Sequence, residues 1–241
     1  MMEIVKAESK ADLEEAFHVR YRAFSEVEKI IDPQECSGGR YVDSFDFLPE
    51  SVVYLGKLSG RSVCSVRLTR PSPVLRSAGA NFRIGLSMEE WFDLRGFECD
   101  SKIAEVPKSA VVPEVANRGV ILALYERIYR DCTREGVDAL VAFANLQTDH
   151  QDDAVDAMKL VSERQRSSYN FTPRVHVGAA GSIRLPRVGG RIAKLPRPLR
   201  LFLAVGAEIA GAPAFIPPLK RYFVPIVIFG GGFSNGIGVR K

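Results

Sequence analysis

The sequence predicts an α/β (α+β) fold with a central mixed, twisted sheet and helices on both of its faces. Residues 103–145 run from an apolar strand pattern through a turn and an amphipathic helix into a second apolar strand, which is a βαβ-type unit. Two further strand patterns, at 52–58 and 62–68, are joined by Ser59-Gly60 as a hairpin. A chain of 241 residues is long enough to bury a full core.

The stretch from Ile103 to Gly136 is the unit around which the chain is organised. IAEV followed by SAVV is typical of a buried strand, which Pro113 and Glu114 end. Asn117-Arg118-Gly119 then opens a helix, and Gly136 stands where a helix end favours a left-handed residue. We expect the turn into this helix to aim backbone N–H groups at a ligand. The apolar residues on one face of the helix are Ile121, Leu124, Tyr125, Ile128 and Cys132.

The rest of the chain is predicted to complete one domain over residues 1–229, with an insertion at 70–101, a basic connection at 181–198 and a mobile tail at 230–241. The insertion contains the only tryptophan, Trp91, and its apolar residues suit either the wall of a pocket or the small core of a lid. The further elements predicted in chain order are a strand at 3–7, a helix at 12–28 capped by Asp12, a short helix at 88–94, a helix at 152–168, a strand at 174–178, a helix at 199–210, a rigid turn at 212–218 and a strand at 222–229, in which Pro225 favours a sheet edge or a bulge.

Charge is distributed unevenly, although the net charge is only +4. Residues 181–241 contain ten lysines and arginines against one acid, whereas residues 1–180 contain 23 basic and 28 acidic residues. A basic C-terminal third predicts an anionic partner, such as a phosphate-bearing donor, an acidic carrier protein or an anionic membrane surface, and a solvated basic loop is the alternative. We expect no nucleic acid, because the basic residues lack interleaved aromatic residues and a known reader motif.

Composition also argues against several classes of protein. No apolar stretch reaches the ~20 residues of a membrane-spanning helix, and MMEIVKAESK has no long apolar core, so we expect a cytoplasmic protein. The four cysteines are scattered without a CxxC motif, which predicts reduced thiols. We expect no metal, because the acids and the histidine at 149–153 match no ligand spacing and suit a helix start.

Three groups of polar residues in the N-terminal half can serve either chemistry or structure. Arg20 lies one turn before Phe24, on nearly the same face of the first helix. Asp43 and Asp46 are three apart in a loop, where they suit an arginine or a substrate ammonium, or else are solvated loop acids or a helix cap. Arg67 lies near a strand end, where it suits a buried carboxylate or an anion, or else lies on the sheet surface.

The segment AEVPKSAVVPEVANRGV resembles the centre of the GNAT acyltransferase fold, where a strand ending in V-P-E leads to an arginine-containing turn and a helix. The resemblance implies a GNAT-like three-layer fold and a phosphopantetheine-bearing acyl donor. The usual acetyl-CoA loop reads Q/R-x-x-G-x-G/A, whereas this chain has Gly119 without the second glycine. The departure favours a donor held less by its pyrophosphate than by its pantetheine and acyl chain.

A narrower resemblance is to acyl-homoserine-lactone synthases and the related N-acyl amino acid synthases, which take long acyl chains from acyl carrier protein. Their motifs R-x-x-x-F, D-x-x-D, G-x-x-R-L and E-x-x-R are similar to four segments that occur here in the same order. The departures are Cys64 for the glycine, Lys108 for the arginine and no tryptophan in the first loop, and the last two disfavour a homoserine-lactone synthase. The four segments are Arg20–Phe24, Asp43–Asp46, Cys64–Leu68 and Glu105–Lys108. Residues 203–214 are similar to the end of N-acyl amino acid synthases and ornithine lipid N-acyltransferases.

The resemblance implies a role for each matched residue. Glu105 is expected to anchor the substrate ammonium or act as general base, with Lys108 and Arg67 as further catalytic residues. The alternative for Glu105 is a buried partner of Arg67 or Arg20. The substrate-binding residues implied are Arg20, Phe24, Asp43, Asp46, Phe82 and Trp91, and the donor-binding residues are Val111, Val112, Asn117, Arg118 and Gly119.

Together these inferences predict an N-acyltransferase that moves a long acyl chain from acyl carrier protein, or from acyl-CoA, to the amine of an amino acid or a related small amine. The acyl-phosphopantetheine is a substrate, so no permanently bound cofactor is implied. The alternatives are an acyl-homoserine-lactone synthase and a non-catalytic GNAT-shaped module that binds acyl groups or a carrier protein. The sequence leaves the acceptor, the chain length and the oligomeric state open.

Overall fold

The computed structural model describes residues 2–79, 81–115, 119–174 and 194–230. The chain folds as two compact units. The first comprises Met1–Ser87 and Cys99–Leu140, and the second comprises Met88–Glu98 and Val141–Lys241. The single domain expected over residues 1–229 stays a prediction. Most of the basic connection and almost all of the tail lie outside the described residues.

The regular elements alternate between strands and helices along most of the chain, as the sequence predicts. In chain order they are β1 (Met2–Lys6), α1 (Lys10–Tyr21), β2 (Ser51–Leu58), β3 (Arg61–Thr69), α2 (Pro73–Ala78), β4 (Phe92–Asp93), β5 (Ile103–Glu105), β6 (Ala110–Val111), α3 (Val120–Arg134), β7 (Ala139–Asn145), α4 (Gln151–Lys159), β8 (Arg166–Pro173), α5 (Arg197–Ala204), β9 (Glu208–Gly211), β10 (Ala214–Ile216) and β11 (Arg221–Phe229).

The first unit has helices on both faces of an antiparallel sheet. β1 pairs with β2 and β2 with β3, and the short strands β5 and β6 both pair with β3. Side chains on a strand alternate between its two faces. On β2, Val53 and Leu55 pack with Ala16 of α1, whereas the hydroxyl of Tyr54 reaches Asp131 of α3 on the opposite face. The predicted arrangement of helices on both faces is confirmed here.

The cap of the first helix lies three residues earlier than predicted. Ser9 is the N-cap residue, because its hydroxyl accepts a hydrogen bond from the N–H of Asp12, and the predicted cap at Asp12 is wrong. α1 continues as a π-helical segment, Arg22–Val27. Arg20 and Phe24 are buried together on the inner face, as their spacing predicts.

The central strand is interrupted, which the apolar run 103–112 did not indicate. β5 meets β3 at Glu105 and Thr69, and β6 meets it at Val111 and Cys64. Between them Lys108 adopts a left-handed conformation with φ of +57°, so the ladder cannot continue through it. The predicted single strand is therefore two short strands with a displaced segment between them.

The helix of the central unit follows the prediction closely. α3 begins after Gly119, which is left-handed with φ of +69° and ψ of +10°. It ends before Gly136, which is left-handed with φ of +73°, as predicted. The apolar residues Leu124, Tyr125, Ile128 and Cys132 are all buried, and Ile121 is only half-buried.

The second unit is a mixed sheet. Its strands lie in the order β7, β11, β9, β8 and β4, with β10 also paired to β11. The β8–β9 pair is parallel, whereas β9 and β10 are antiparallel to β11. β11 is not an edge strand, so that alternative for Pro225 is wrong. Pro225 lies where β11 changes partner, between Phe223 opposite β10 and Ile226 opposite β9.

Three predicted helices are wrong in type or extent. Each apolar run belongs partly to a strand whose partner is distant in sequence: Phe92 of β4 pairs with Pro173, and Phe171 of β8 pairs with Gly211 of β9. Local periodicity cannot show such pairing. The helix predicted at 88–94 is a 3-10 turn followed by β4, that at 152–168 is α4 and the start of β8, and that at 199–210 is α5 followed by β9.

Of the strand predicted at 174–178, residues 175–178 lie outside the described part of the chain, and β8 ends just before it, at Pro173. The rigid turn predicted at 212–218 includes β10 and a 3-10 turn, Pro217–Leu219. No helix within the described residues is both long and apolar enough to cross a membrane.

Candidate active site

A buried cluster of charges lies in the first unit, between α1, the 41–47 loop and the strands β3 and β5. Arg20 and Arg67 are no more than 1% exposed, and Glu105 is fully buried. Nη1 of Arg20 donates to Oδ1 of Asp46 over 2.6 Å, and Nη1 of Arg67 donates to the same oxygen over 3.1 Å. One carboxylate oxygen of Asp46 therefore receives both guanidinium groups.

The two aspartates are fixed by the backbone of their own loop. Together they form a capping box at the N-terminal end of a 3-10 turn, Ser44–Phe47. The N–H of Phe45 donates to Asp43, and the N–H of Asp43 donates to Oδ2 of Asp46. Cap and arginine holder were alternatives for this pair in the sequence, and the structure shows both. Oδ1 of Asp43 accepts from both Phe45 and Arg67, whereas Asp46 accepts from the backbone with Oδ2 and from Arg67 with Oδ1, so both carboxylates are presented to Arg67 in a fixed geometry.

Glu105 lies on β5 and is held by a serine that no sequence motif indicated. The hydroxyl oxygen of Ser87 is 2.8 Å and 2.9 Å from the two carboxylate oxygens of Glu105. Ser87 also lies 3.5 Å from Nη2 of Arg67. A single serine in an irregular segment gives no pattern to read, which is why the sequence did not identify it.

Lys108 connects the interrupted strand to the 41–47 loop, which contains Asp43 and Asp46. Its Nζ donates to the hydroxyl of Tyr41 over 2.5 Å and lies 3.3 Å from Oδ2 of Asp43. The ammonium also lies 4.5 Å from the centre of the Tyr41 ring, which in turn meets the Phe24 ring edge-on. Tyr41 is a second residue that the sequence did not identify.

The cluster contains three cations (Arg20, Arg67 and Lys108) and three carboxylates (Asp43, Asp46 and Glu105). Burial by itself would raise the pKa of the Asp43 carboxyl, but Lys108 and Arg67 outweigh it and lower that pKa below 3.8. Burial opposes the charge of Arg67, and the three carboxylates outweigh it and raise its pKa. The ionised forms of Asp43 and Arg67 therefore stabilise each other.

Aromatic rings border this cluster. The guanidinium of Arg67 lies 5.6 Å from the centre of the Phe45 ring, and Phe45 meets Phe82 of the insertion edge-on at 6.5 Å. Phe82 is thus brought to the border of the cluster. Trp91 belongs to the second unit, where its carbonyl accepts from the N–H of Arg174, and its substrate role stays a prediction.

The sequence matches a known family over this part of the chain. The model described as N-acyl amino acid synthase FeeM matches residues 15–150, more than half of the chain. The chain belongs to this FeeM family. The match spans every member of the charged cluster, and membership makes the protein an acyltransferase that joins an acyl group to an amine. No curated protein sequence matches the chain.

Solved structures similar to this FeeM-family protein are acyltransferases of the GNAT-like fold. FeeM, an N-acyl amino acid synthase from uncultured soil microbes, is 8% identical with a TM-score of 0.58, over 98% of this chain and 94% of FeeM. BjaI, a CoA-dependent acyl-homoserine lactone synthase solved with SAM and isopentyl-CoA, is 16% identical with a TM-score of 0.56, over 97% and 86%. TofI, solved with an inhibitor and MTA, is 15% identical with a TM-score of 0.54, over 97% and 96%. These likenesses confirm the GNAT-like fold.

Of the residues expected to bind the donor in this FeeM-family protein, the structure describes Val111, Val112 and Gly119. Val112 donates its N–H to the carbonyl of Val63 on β3. Successive N–H groups on a strand point to opposite sides, so that of Val111 points away from β3. Gly119 precedes α3, and its conformation rather than lack of space calls for glycine, since an added Cβ meets nothing within 4 Å. Asn117 and Arg118 lie outside the described residues.

Other candidate sites in this FeeM-family protein are accounted for structurally. Among the described residues no group of three or more histidine, cysteine, aspartate or glutamate side chains is arranged to hold a metal. Asp152 and Asp153 lie in the first turn of α4, where acids suit a helix start. All four cysteines are free thiols.

Proposed function

We propose that the protein transfers a long acyl chain from the phosphopantetheine thioester of acyl carrier protein, or of acyl-CoA, to the amine of an amino acid or a related small amine. The observation that carries the proposal is the position of Glu105. Its carboxylate is fully buried, is oriented by Ser87 and is adjacent to Arg67. Glu105 is also the last residue of β5, just before the central strand is interrupted. A carboxylate whose orientation is fixed in this way is suited to accept a proton.

The reaction joins the amine nitrogen to the thioester carbonyl carbon and breaks the carbon–sulfur bond. The incoming ammonium must first lose a proton, which we assign to Glu105 through a bridging water, because the carboxylate itself is fully buried. The carbonyl oxygen gains negative charge as the nitrogen attacks, and it needs an N–H donor. A second proton leaves the nitrogen as the amide forms, and the pantetheine thiolate takes one up as it departs.

β6 supplies the donor for that oxygen in our proposal. Among the described residues β6 pairs only with β3, so its other edge is open to a ligand. Because the N–H of Val112 is bound to Val63, the N–H of Val111 is the one directed to the open edge. An extended pantetheine arm that lies along this edge would bring its thioester carbonyl to Val111.

The first turn of α3 is the second part of the donor site in this proposal. The amides at a helix start have no partners within the helix and favour an anion or a carbonyl. Gly119, with its left-handed backbone, sets the direction in which the turn enters α3. Asn117 and Arg118 are assigned to the donor from the sequence resemblance alone.

Charge supports an acidic carrier as the donor. Arg197, Arg200 and Lys220 are exposed in the described part of the basic C-terminal third. Electrostatic contact of this kind guides association and weakens with salt. An amino acid acceptor brings a carboxylate that requires a positive partner, and we assign that partner to Lys108, which is the least buried cation of the cluster.

The test is a panel of acyl carrier proteins and acyl-CoA thioesters of different chain length, each incubated with the protein and with single amino acids or SAM. Products are identified by mass spectrometry. We expect N-acyl amino acids from the wild type and from the control variant Glu14→Gln. Glu14 lies on α1 and forms an exposed ion pair with Arg40 of the following loop. We expect a loss of about 100-fold or more from Glu105→Gln.

Other outcomes would replace the proposal. An acyl-homoserine lactone formed only with SAM would make the protein a lactone synthase. Thermal stabilisation by acyl carrier protein without any product would make it a binding module. A full rate in Glu105→Gln would show that the buried carboxylate has a structural role only.

A further inference from the structure

We infer that Ser87 is a positioning residue that fixes the carboxylate of Glu105 for acyl transfer. This inference rests on the proposed role of Glu105. Ser87 comes from the irregular insertion and lies outside the four motif segments of the sequence resemblance, and it is 7% exposed. Its hydroxyl oxygen is nearly equidistant from the two oxygens of Glu105, at 2.8 Å and 2.9 Å.

The hydroxyl restricts a torsion that is otherwise loose. The last torsion of a glutamate side chain has a broad, two-fold preference, so packing of the aliphatic part does not set the plane of the carboxylate. A hydroxyl placed between the two oxygens, which also lies 3.5 Å from Nη2 of Arg67, holds that plane. Ser87 binds one side of the carboxylate, and we assign proton transfer to the side that faces away from Ser87.

The insertion is built to hold Ser87 still. The N–H of Ser72 donates to the carbonyl of Gly85 over 2.9 Å, and Arg76 of α2 donates to the carbonyl of Ile84. Gly85 is left-handed with φ of +95°, and an added Cβ would lie 2.3 Å from the carbonyl oxygen of Ser72. Only glycine permits this close contact. The segment that carries Ser87 is thus fixed to the beginning of its own insertion.

The flanking side chains add to this restraint. Ile84 and Leu86 are fully buried, so the backbone on the N-terminal side of Ser87 is anchored in the core. A hydroxyl carried on a rigid segment orients its partner more strongly than one on a mobile loop. We therefore assign the insertion a function in the chemistry, in addition to the pocket wall or lid expected from its sequence.

The experiment compares two pairs of side chains at position 87 of the protein, serine with alanine and threonine with valine, and the members of each pair differ mainly in the hydroxyl. Ser87→Ala removes the hydroxyl, whereas Ser87→Thr retains it, and Ser87→Val has the shape of the threonine without the hydroxyl. We expect kcat to fall about tenfold or more in Ser87→Ala and Ser87→Val, with KM for both substrates within about twofold, because a hydrogen bond to a charged group is lost. Ser87→Thr should recover most of the rate. Thermal melting of each variant separates this effect from unfolding.

A double-mutant cycle with Glu105→Gln decides whether Ser87 acts through Glu105. We expect Ser87→Ala to change the residual rate of Glu105→Gln by less than about twofold, since there is no charged carboxylate left to position. An equal loss in both backgrounds, or a rise in KM alone, would overturn the inference. If Glu105→Gln is inactive and Ser87→Ala is fully active, only the role of Ser87 fails. If Glu105→Gln is fully active, the proposed function of Glu105 fails first.

Discussion

Asp46 is the acceptor shared by two buried arginines, and its removal offers a direct measure of what the charged cluster contributes to stability. Arg20 has no other hydrogen-bond acceptor among the described residues. The side chains of Asp46, Arg20 and Arg67 are at most 1% exposed, so water cannot replace the lost partner. Removal of one member of such a group typically costs about 3–5 kcal/mol. For a protein of this size, we expect Asp46→Ala to lower Tm by roughly 6–20 °C.

The measurement is urea unfolding together with thermal melting, both followed by circular dichroism. Glu126→Ala is the control, because Glu126 pairs with Arg130 on the exposed face of α3 and the pair has side chains that are 46% and 60% exposed. Such a pair contributes about 0–1 kcal/mol. If Asp46→Ala destabilises the protein no more than Glu126→Ala does, the cluster is solvated in solution, and the reasoning from its burial is refuted.

Three further predictions concern pH, backbone strain and thiol reactivity. Neighbouring cations hold the pKa of Asp43 below 3.8 despite its burial. The contribution of Asp43 to the free energy of unfolding is therefore present above that pH and is lost as the pH falls through the folded-state pKa. Wild-type unfolding free energy, measured by urea titration, should therefore fall more between about pH 5 and pH 3 than that of Asp43→Asn, and equal slopes would contradict this. Gly119→Asn should destabilise less than Gly119→Val, by about 1 kcal/mol in thermal melts, because asparagine tolerates the left-handed conformation and valine does not. Burial raises the pKa of Cys64 to about 12 and that of Cys132 to about 11. A disulfide reagent at pH 8 should therefore modify the exposed Cys99 in the native protein and reach Cys64 and Cys132 only on unfolding. Immediate reaction of all four thiols would disagree with the fold.

The sequence located much of the cluster because its members lie on regular elements or in short motifs. Arg20 and Phe24 share a helix face by spacing alone, and the burial of both confirms that spacing. Asp43 and Asp46 form a turn signature, and each also forms an ion pair with Arg67, so local chemistry and tertiary contact indicate the same residues. The catalytic and binding roles assigned to these residues stay predictions.

The parts that sequence reasoning missed depend on contacts between distant segments. The run at 199–210 has the composition of a helix, and only pairing with β8 and β11 makes residues 208–211 a strand. Ser87 and Tyr41 acquire their importance from Glu105 and Lys108, which lie 18 and 67 residues away. The left-handed backbone of Lys108 is equally invisible, since most lysines do not adopt it.

The interrupted central strand also bears on how the protein folds. The hydrogen bonds of the charged cluster connect positions 18 to 67 residues apart, so several long loops must close before the cluster exists. Closing such loops costs chain entropy before the contacts compensate for it, which slows folding of sheets with distant partners. The cluster is also complete only when the segment after β5 turns back so that Lys108 reaches the 41–47 loop. Acyl transfer activity would therefore appear late in refolding, after secondary structure has formed.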